Sequence, residues 1–305
     1  MKRWWSTLNT VDRLYFGWLA ALTVAIVVQR ARVPAWTGYL ALHGGVLLIV
    51  ALLARGAPRD RRANFFHDWY PLALFIVAFE EVARLSFLFV SQWQDAYLLR
   101  WEAALFAVPP TVWFAQHASP LLTELMNLGY FGYFVLLMIV GGAFYRWPDK
   151  RPFRQVMTAS VLSYMICYVV FLTFPTEGPA HTLAAFHREP IDGGPFHWLV
   201  LLIQKCAGVH GNAFPSSHVA AGLVSLIFAW CYLPKLGAAL TPVVILLCLG
   251  AVYDRYHYLL DVVGGLAVGA VAAIIVLVWK RQATIFDESL HTTGSEVEAA
   301  AVRQD

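Results

Sequence analysis

Two short stretches of the sequence carry side chains suited to acid–base chemistry. The first, HGNAFPSSHVAAG, brings His218 to the start of an apolar run. The second, YDRYHYLLDVVGG, contains His257 and Asp261 four residues apart, a spacing that predicts both side chains on one helix face and in contact. A carboxylate bonded to one imidazole nitrogen fixes the tautomer and leaves the other nitrogen free to attack an electrophile.

Together these three side chains predict phosphoryl transfer that needs no metal. A free nitrogen of His257 can form a phosphohistidine, while His218 donates a proton to the leaving group from the opposite side. In the first stretch, Pro215 suits the first position of a helix, and Ser216 and Ser217 suit its cap. The free N–H groups at such a helix start attract an anion, so both serines are predicted to contact the phosphate.

The composition indicates which elements hold these residues. Of the 305 residues, 59% are hydrophobic and 13% are charged, whereas soluble domains carry about 25% charged residues. This composition, with a mean hydropathy of +0.60, predicts an all-α, polytopic membrane protein. The net charge of +3 comes from basic connectors and implies no nucleic-acid partner. The four cysteines lack metal-binding spacing, so neither a metal site nor a cofactor is expected.

Eight apolar runs approach the length of about 20 residues that a membrane-spanning helix needs. They lie at 14–30, 35–54, 69–90, 121–145, 155–174, 214–233, 239–256 and 259–279. The polar, proline-broken segment 91–118 is predicted to lie at the membrane interface as an amphipathic segment. The third run contains Glu80, Glu81 and Arg84, and the spacing of Glu80 and Arg84 predicts an ion pair, with a functional role for these charges as the alternative.

Basic connectors predict the orientation in the membrane. The arginine-rich segment 54–68 is the strongest cytoplasmic signal, and counting alternately from it places both chain termini in the cytoplasm. Arg30 and Arg32 run against this count. Both motif stretches and segment 175–213 then fall on the extracytoplasmic face. The short loops favour a bacterial inner membrane.

The two stretches also resemble known motifs. FPSSH followed by HYLLD is similar to the second and third signature motifs, P-S-G-H and S-R-x5-H-x3-D, of the type 2 phosphatidic acid phosphatase superfamily. The resemblance implies that His257 is the nucleophile, Asp261 its orienting partner and His218 the general acid for the leaving group.

That superfamily has a six-helix membrane core, which implies a division of this chain. The catalytic membrane core is expected over 69–279, preceded by two additional N-terminal transmembrane helices in 1–68. The charged residues 280–305 are predicted to form a disordered cytoplasmic tail.

The sequence departs from the superfamily's motifs at three places, and these departures indicate one branch of the superfamily. The superfamily's K-x6-R-P motif, whose lysine and arginine hold the phosphate, has its only counterpart in Arg151-Pro152, which is predicted to be cytoplasmic. Ala251 replaces the arginine of the third motif, and Ser217 replaces the glycine of the second. This pattern, with LTFPTEGPAHTL at 172–183, is similar to the branch of inositol phosphorylceramide synthases. Those enzymes share the triad with sphingomyelin synthases and transfer a phospho-headgroup between lipids.

Other side chains on the same face must then neutralise the phosphate. The candidates are His181, His187, Arg188, Lys205, His210 and Arg255. His181 is favoured because it directly follows the proline-rich element, whereas on a regular helix Arg255 points away from His257. Glu177 is explained equally well as a loop carboxylate and as a ligand for a headgroup hydroxyl. Arg188 fits an interfacial charge better than a ligand.

Two enzymatic functions remain open at this point, and a third class is disfavoured. The first is a lipid phosphotransferase that moves a phospho-headgroup to another lipid's hydroxyl. The second is a lipid phosphate phosphatase, in which water resolves the same intermediate on phosphatidic acid-type or isoprenoid phosphates. A transporter or inactive scaffold is disfavoured, because the chain has no internal repeat and retains all three triad residues.

Overall fold

A computed structural model describes residues 8–57, 60–187 and 191–279 of the chain. The regular structure in these ranges is helical throughout, and the predicted tail at 280–305 lies outside them. The helices are α1 Thr10–Val28, α2 Trp36–Gly56, α3 Arg61–Arg84, α4 Asp95–Leu105, α5 Pro110–Gln116, α6 Pro120–Tyr145, α7 Arg151–Thr173, α8 Pro179–Thr182, α9 Pro195–Ala207, α10 Ser217–Tyr232, α11 Pro234–Tyr253 and α12 Leu259–Trp279. Short 3-10 turns occur at Arg30–Arg32 and Ala184–Phe186.

Six of the described helices are long and apolar enough to cross a membrane, namely α1, α2, α6, α7, α11 and α12. The chain is therefore an all-α integral membrane protein, as its composition predicts. The other two predicted spans correspond to α3, which has 24 residues but several charges, and to α10, which has 16 residues. The total of eight spans stays a prediction, because α10 rises only about 24 Å against about 30 Å of hydrocarbon.

Helix α7 lies at the centre of the bundle. It packs against α1, α3, α6 and α10, and its residues Val156, Cys167 and Phe171 are enclosed on all sides. The hydroxyl of Tyr168 donates to the carbonyl of Phe75 at 2.9 Å, so the polar end of this buried ring is satisfied. Through these contacts α7 joins the N-terminal helices to the helix that carries His218.

The two helices that follow the motif stretches approach each other closely. A Cβ at Gly265 would lie 2.4 Å from the carbonyl oxygen of Ser216, and one at Gly269 would lie 2.5 Å from that of Ala220. Both distances are too short for a carbon–oxygen contact, so this approach requires glycine. The amide of Ser216 also donates to the carbonyl of Asp261 at 2.9 Å. These contacts hold the start of α10 beside the start of α12.

The N-terminal helices carry buried ionisable side chains that pair across helices. The two pairs are His43–Glu81 at 2.6 Å and His67–Asp12 at 3.0 Å. The predicted pair of Glu80 with Arg84 also forms, at 3.0 Å, with 71% of the Arg84 side chain exposed. Glu81 therefore differs from its neighbour Glu80, because it faces α2 and is paired inside the bundle.

The segment 91–118 forms the short helices α4 and α5, which have 11 and 7 residues. Neither is long enough to span a bilayer, in agreement with the prediction that this segment does not cross. Tyr97 and Trp101 are exposed on α4, whereas Asp95 and Glu102 on the same helix are buried. Helix α4 therefore packs its two acidic side chains onto the bundle, next to the motif stretches.

Candidate active site

A cavity of about 460 Å³ lies between the two motif stretches. His218 and His257 both line it, and their ring centroids are 5.8 Å apart. Aromatic side chains form much of the remaining wall, namely Phe75, Phe79, Tyr130, Tyr133, Phe134 and Tyr164. Glu177 and His181 also line the cavity, and since His181 is exposed, this side forms its mouth. A single phosphate group can contact both imidazole rings.

His218 is the second residue of α10, which begins at Ser217. Ser216 caps this helix, as the sequence predicts, because its hydroxyl accepts from the amide of Val219 at 3.4 Å. Pro215 precedes the cap, so the prediction that it takes the first helical position is wrong. Ser217 takes that position, because the chain becomes helical only after the Ser216 cap.

The structure separates the two serines that were predicted to contact phosphate. Ser217 lines the cavity. Ser216 is fully buried, and its hydroxyl is engaged in capping. The amides of Ser217 and His218 have no hydrogen-bond acceptor among the described residues, as is usual in the first turn of a helix. An anion in the cavity can therefore reach an open helix start.

His257 lies in the turn between α11 and α12 and not on a helix. The prediction that His257 and Asp261 share a helix face is therefore wrong, because α12 begins only at Leu259. The two side chains still approach, with Nδ1 of His257 3.4 Å from Oδ2 of Asp261. Oδ2 of Asp261 also accepts from the amide of Tyr258 at 2.8 Å, so the carboxylate stabilises the start of its own helix.

The contacts of His257 fix its tautomer. Its Nδ1 lies 2.9 Å from the carbonyl oxygen of Ala213 and 3.4 Å from the carboxylate of Asp261. Both oxygens can only accept, so Nδ1 carries the proton and Nε2 carries the lone pair. Nε2 has no hydrogen-bond partner among the described residues. The ring is thus held at one nitrogen and available at the other.

A buried carboxylate pins the mouth of the cavity. Asp95, the first residue of α4, accepts from the amides of Glu177 and Gly178 at 2.8 Å each. It also accepts from the hydroxyl of Tyr258 at 2.9 Å. Gly178 has a φ of 102°, which favours glycine at this turn. Asp95 therefore connects the loop that carries Glu177 to the residue that follows His257.

Sequence reasoning missed Asp95, and it also missed Glu102. Glu102 accepts from the amide of Leu260 at 3.3 Å, and its burial raises the pKa of its carboxyl. Both acids lie in segment 91–118, whose alternating charges and aromatic residues match an interfacial helix. Nothing in the sequence distinguishes these two carboxylates from the exposed charges around them.

The predicted phosphate-binding residues fall into separate places. Glu177 and His181 line the cavity with the two imidazoles. Arg255 lies in the turn after α11, at a φ of 66°, and lines a neighbouring cavity of about 370 Å³. His187 lines that second cavity too, where burial and the nearby Arg255 lower its pKa to about 4. Arg188 lies outside the described residues.

Comparison with known proteins identifies the superfamily of the chain. The PAP2 superfamily matches residues 96–275, a range that contains both motif stretches. A PA-phosphatase related-family protein of Dictyostelium discoideum is 25% identical over 167 residues, which cover 48% of this chain and 30% of that relative. No solved structure matches the chain. Because the family match extends over more than half of the sequence, the chain belongs to the PAP2 superfamily.

Proposed function

We propose that this protein is a lipid phosphotransferase that moves a phospho-headgroup between lipids through a phosphohistidine on His257. The observation that carries the proposal is the pair of imidazoles that line one cavity, with ring centroids 5.8 Å apart and Nε2 of His257 available. Membership of the PAP2 superfamily supports phosphatase or phosphotransferase chemistry on lipids.

In the first half-reaction, Nε2 of His257 attacks phosphorus and the bond to the donor lipid's oxygen breaks. Protonated His218 donates its proton to that oxygen, so the donor leaves as a neutral alcohol. Asp261 and the carbonyl of Ala213 stabilise the positive charge that the His257 ring then carries.

In the second half-reaction, the acceptor's hydroxyl attacks the phosphohistidine from the cavity. His218, now neutral, takes the hydroxyl proton, and the bond between phosphorus and nitrogen breaks. The product is a new phospholipid, and both histidines return to their starting states. The open amides of Ser217 and His218 contribute positive partial charge toward the phosphate.

The shape of the site supports a lipid substrate. A further, apolar cavity of about 200 Å³, distinct from the one lined by Arg255, shares five wall residues with the cavity that contains the two histidines. These are Phe75, Ile76, Tyr133, Phe134 and Tyr164. Of these, Ile76 is 61% exposed on the outer surface of α3. If an acyl chain occupied this apolar cavity, the headgroup of the same lipid would lie beside the two histidines.

A transferase of the inositol phosphorylceramide synthase type is favoured over a phosphatase by the missing phosphate-binding cations. Ala251, where the third motif usually has arginine, is fully buried. Arg151 begins α7, whose 23 residues separate it by about 34 Å from the loop at the cavity mouth. These motif positions therefore do not supply the cations with which the superfamily usually binds a phosphate monoester dianion. The phosphodiester that a headgroup transfer uses carries one charge fewer.

A panel of donor and acceptor lipids tests this proposal. Purified protein would be incubated with labelled phospholipids, with and without ceramide, diacylglycerol or inositol lipids, in the presence of EDTA. We expect an acceptor-dependent new phospholipid, and we expect turnover to continue in EDTA at saturating lipid. Release of free phosphate without acceptor dependence would identify a phosphatase, the alternative that the same triad permits. Strict dependence on added divalent ions would contradict the phosphohistidine mechanism.

The proposed site faces the extracytoplasmic side of a bacterial inner membrane, with both termini in the cytoplasm. The basic connectors support this orientation. A reporter fused after Arg281 should read as cytoplasmic, and an extracytoplasmic reading would invert the arrangement.

A further inference from the structure

Three side chains with metal-ligating atoms converge at the cavity mouth. The ligand atoms of Glu177, His181 and His210 all lie within 4.8 Å of one another. Oε1 of Glu177 is 2.7 Å from Nε2 of His210, and the two imidazole rings are 4.4 Å apart. The proposed reaction uses none of these groups as acid, base or nucleophile.

Both halves of the cluster are held in place from outside. Glu177 lies on the loop whose amides are bound by the buried carboxylate of Asp95, and His181 lies in α8, which follows that loop directly. On the other side, the ring of His210 packs on that of Trp93, with centroids 5.5 Å apart. Gly211 follows with a φ of 97°, and a Cβ there would lie 2.8 Å from the Trp93 ring. The three donors are therefore presented by two fixed segments of backbone.

This donor set fits a borderline transition-metal ion. Two imidazoles and one carboxylate are common ligands of Zn²⁺, with metal–ligand distances of about 2.0–2.2 Å. In a tetrahedral site such distances put the donor atoms about 3.4 Å apart. The present separations, 2.7 Å for one pair and no more than 4.8 Å for the others, bracket that value. Small rotations of His181 and His210, both exposed, would complete the site.

We propose that Glu177, His181 and His210 bind a divalent transition-metal ion of the Zn²⁺ class at the mouth of the cavity. Three protein ligands leave a fourth position open. Because Glu177 and His181 also line the catalytic cavity, a bound ion adds positive charge where the superfamily's lysine and arginine are missing. This effect of the ion on the phosphate rests on the proposed function, and it predicts a lower KM for the phospholipid with kcat retained.

The sequence alone does not indicate this site. His210 follows His181 by 29 positions, and no short motif links them. The folded loop and the stacking on Trp93 bring them together, which is why the sequence predicts no metal.

Cobalt binding tests the proposal directly. The full-length protein, purified in detergent without an affinity tag and stripped of metal, would be titrated with Co²⁺ and followed by visible absorption. We expect one Co²⁺ per chain with the strong bands of a tetrahedral site, displaced by Zn²⁺. His210→Gln can still bond to Glu177 but loses the imidazole ligand, so binding should fall at least tenfold. His117→Ala, the matched control, removes an exposed histidine outside the cluster and should bind as the unmodified protein does.

The outcomes separate this proposal from the proposed function. In His257→Ala, turnover should be lost while Co²⁺ binding is unchanged, so the failure of one proposal does not imply the failure of the other. Equal Co²⁺ binding by the unmodified protein and by the triple variant Glu177→Gln, His181→Ala, His210→Gln would overturn the metal site. A KM that does not fall when Zn²⁺ is bound would overturn its contribution to phosphate binding.

Discussion

The buried pairs His43–Glu81 and His257–Asp261 each join a histidine to a carboxylate, but their surroundings are opposite. In the N-terminal helices, Nε2 of His43 contacts Glu81 at 2.6 Å and Nδ1 contacts the hydroxyl of Thr23 at 2.5 Å. The cavity beside this pair measures only about 10 Å³. Within the described part of the chain, His257 has contacts at Nδ1 only, and it faces a cavity of about 460 Å³ that His218 also lines.

We expect the difference between the two pairs to separate a reactive histidine from a structural one. Both pairs have the acid that orients an imidazole, so pairing does not distinguish them. At His43 both nitrogens are occupied and no substrate fits, so the contacts tie α1, α2 and α3 together. At His257, Nε2 has no partner among the described residues, a second imidazole lines the same cavity, and a substrate has room. Space and an open nitrogen therefore separate a site for chemistry from a structural contact.

The largest expected effect is at the His257–Asp261 pair. His257→Ala should lower turnover by more than about 1,000-fold, because it removes the proposed nucleophile. The variant should keep its thermal stability in detergent close to that of the unmodified protein, measured alongside the lipid assay. Turnover near the original level would disprove the assignment of His257.

The His43–Glu81 pair should respond in the opposite way, with a loss of stability and little loss of turnover. His43→Ala leaves Glu81 buried without its partner, a change that costs about 3–5 kcal/mol in comparable buried pairs. We expect a clear fall in the thermal unfolding midpoint, with turnover per folded molecule within a few-fold of the original. If a fully folded His43→Ala protein were inactive, the distinction between the two pairs would collapse.

An intermediate loss of kcat should follow when the carboxylate of Asp261 is neutralised. Asp261→Asn should reduce kcat by about 100- to 1,000-fold, less than the loss in His257→Ala. The carbonyl of Ala213, at 2.9 Å, still holds Nδ1–H of His257 in this variant. A loss in Asp261→Asn as large as that in His257→Ala would show that the backbone contact does not fix the tautomer.

The smallest effect is expected at the contact that positions the cavity mouth. Asp95→Asn weakens the bonds to the amides of Glu177 and Gly178, so it should raise KM and lower kcat by about tenfold or less. Tyr258→Phe removes a donor to the same carboxylate, and the two changes combined should be less than additive. Strict additivity, measured in a double-mutant cycle, would show that Asp95 and Tyr258 do not act together.

The sequence predicted the features that short stretches of residues determine, and it did not predict those that depend on contacts between distant segments. The helical membrane fold could be predicted because long apolar runs are local features. The superfamily could be recognised from two short motifs. The shared helix face of His257 and Asp261 was predicted wrongly because their four-residue spacing fits a helix, whereas the structure ends α11 at Tyr253 and begins α12 only at Leu259. The partner of Glu81 and the role of Asp95 depend on contacts with distant segments, which no local pattern encodes.

Trapping the covalent intermediate tests the central claim most directly. Purified protein would be mixed with a donor phospholipid labelled in its phospho-headgroup, without acceptor, quenched in base and digested for mass spectrometry. The mechanism predicts an alkali-stable, acid-labile adduct on His257, formed in Asp261→Asn at a reduced rate and absent from His257→Ala. Catalytic turnover with no adduct on His257, or with the label on another residue, would contradict the mechanism.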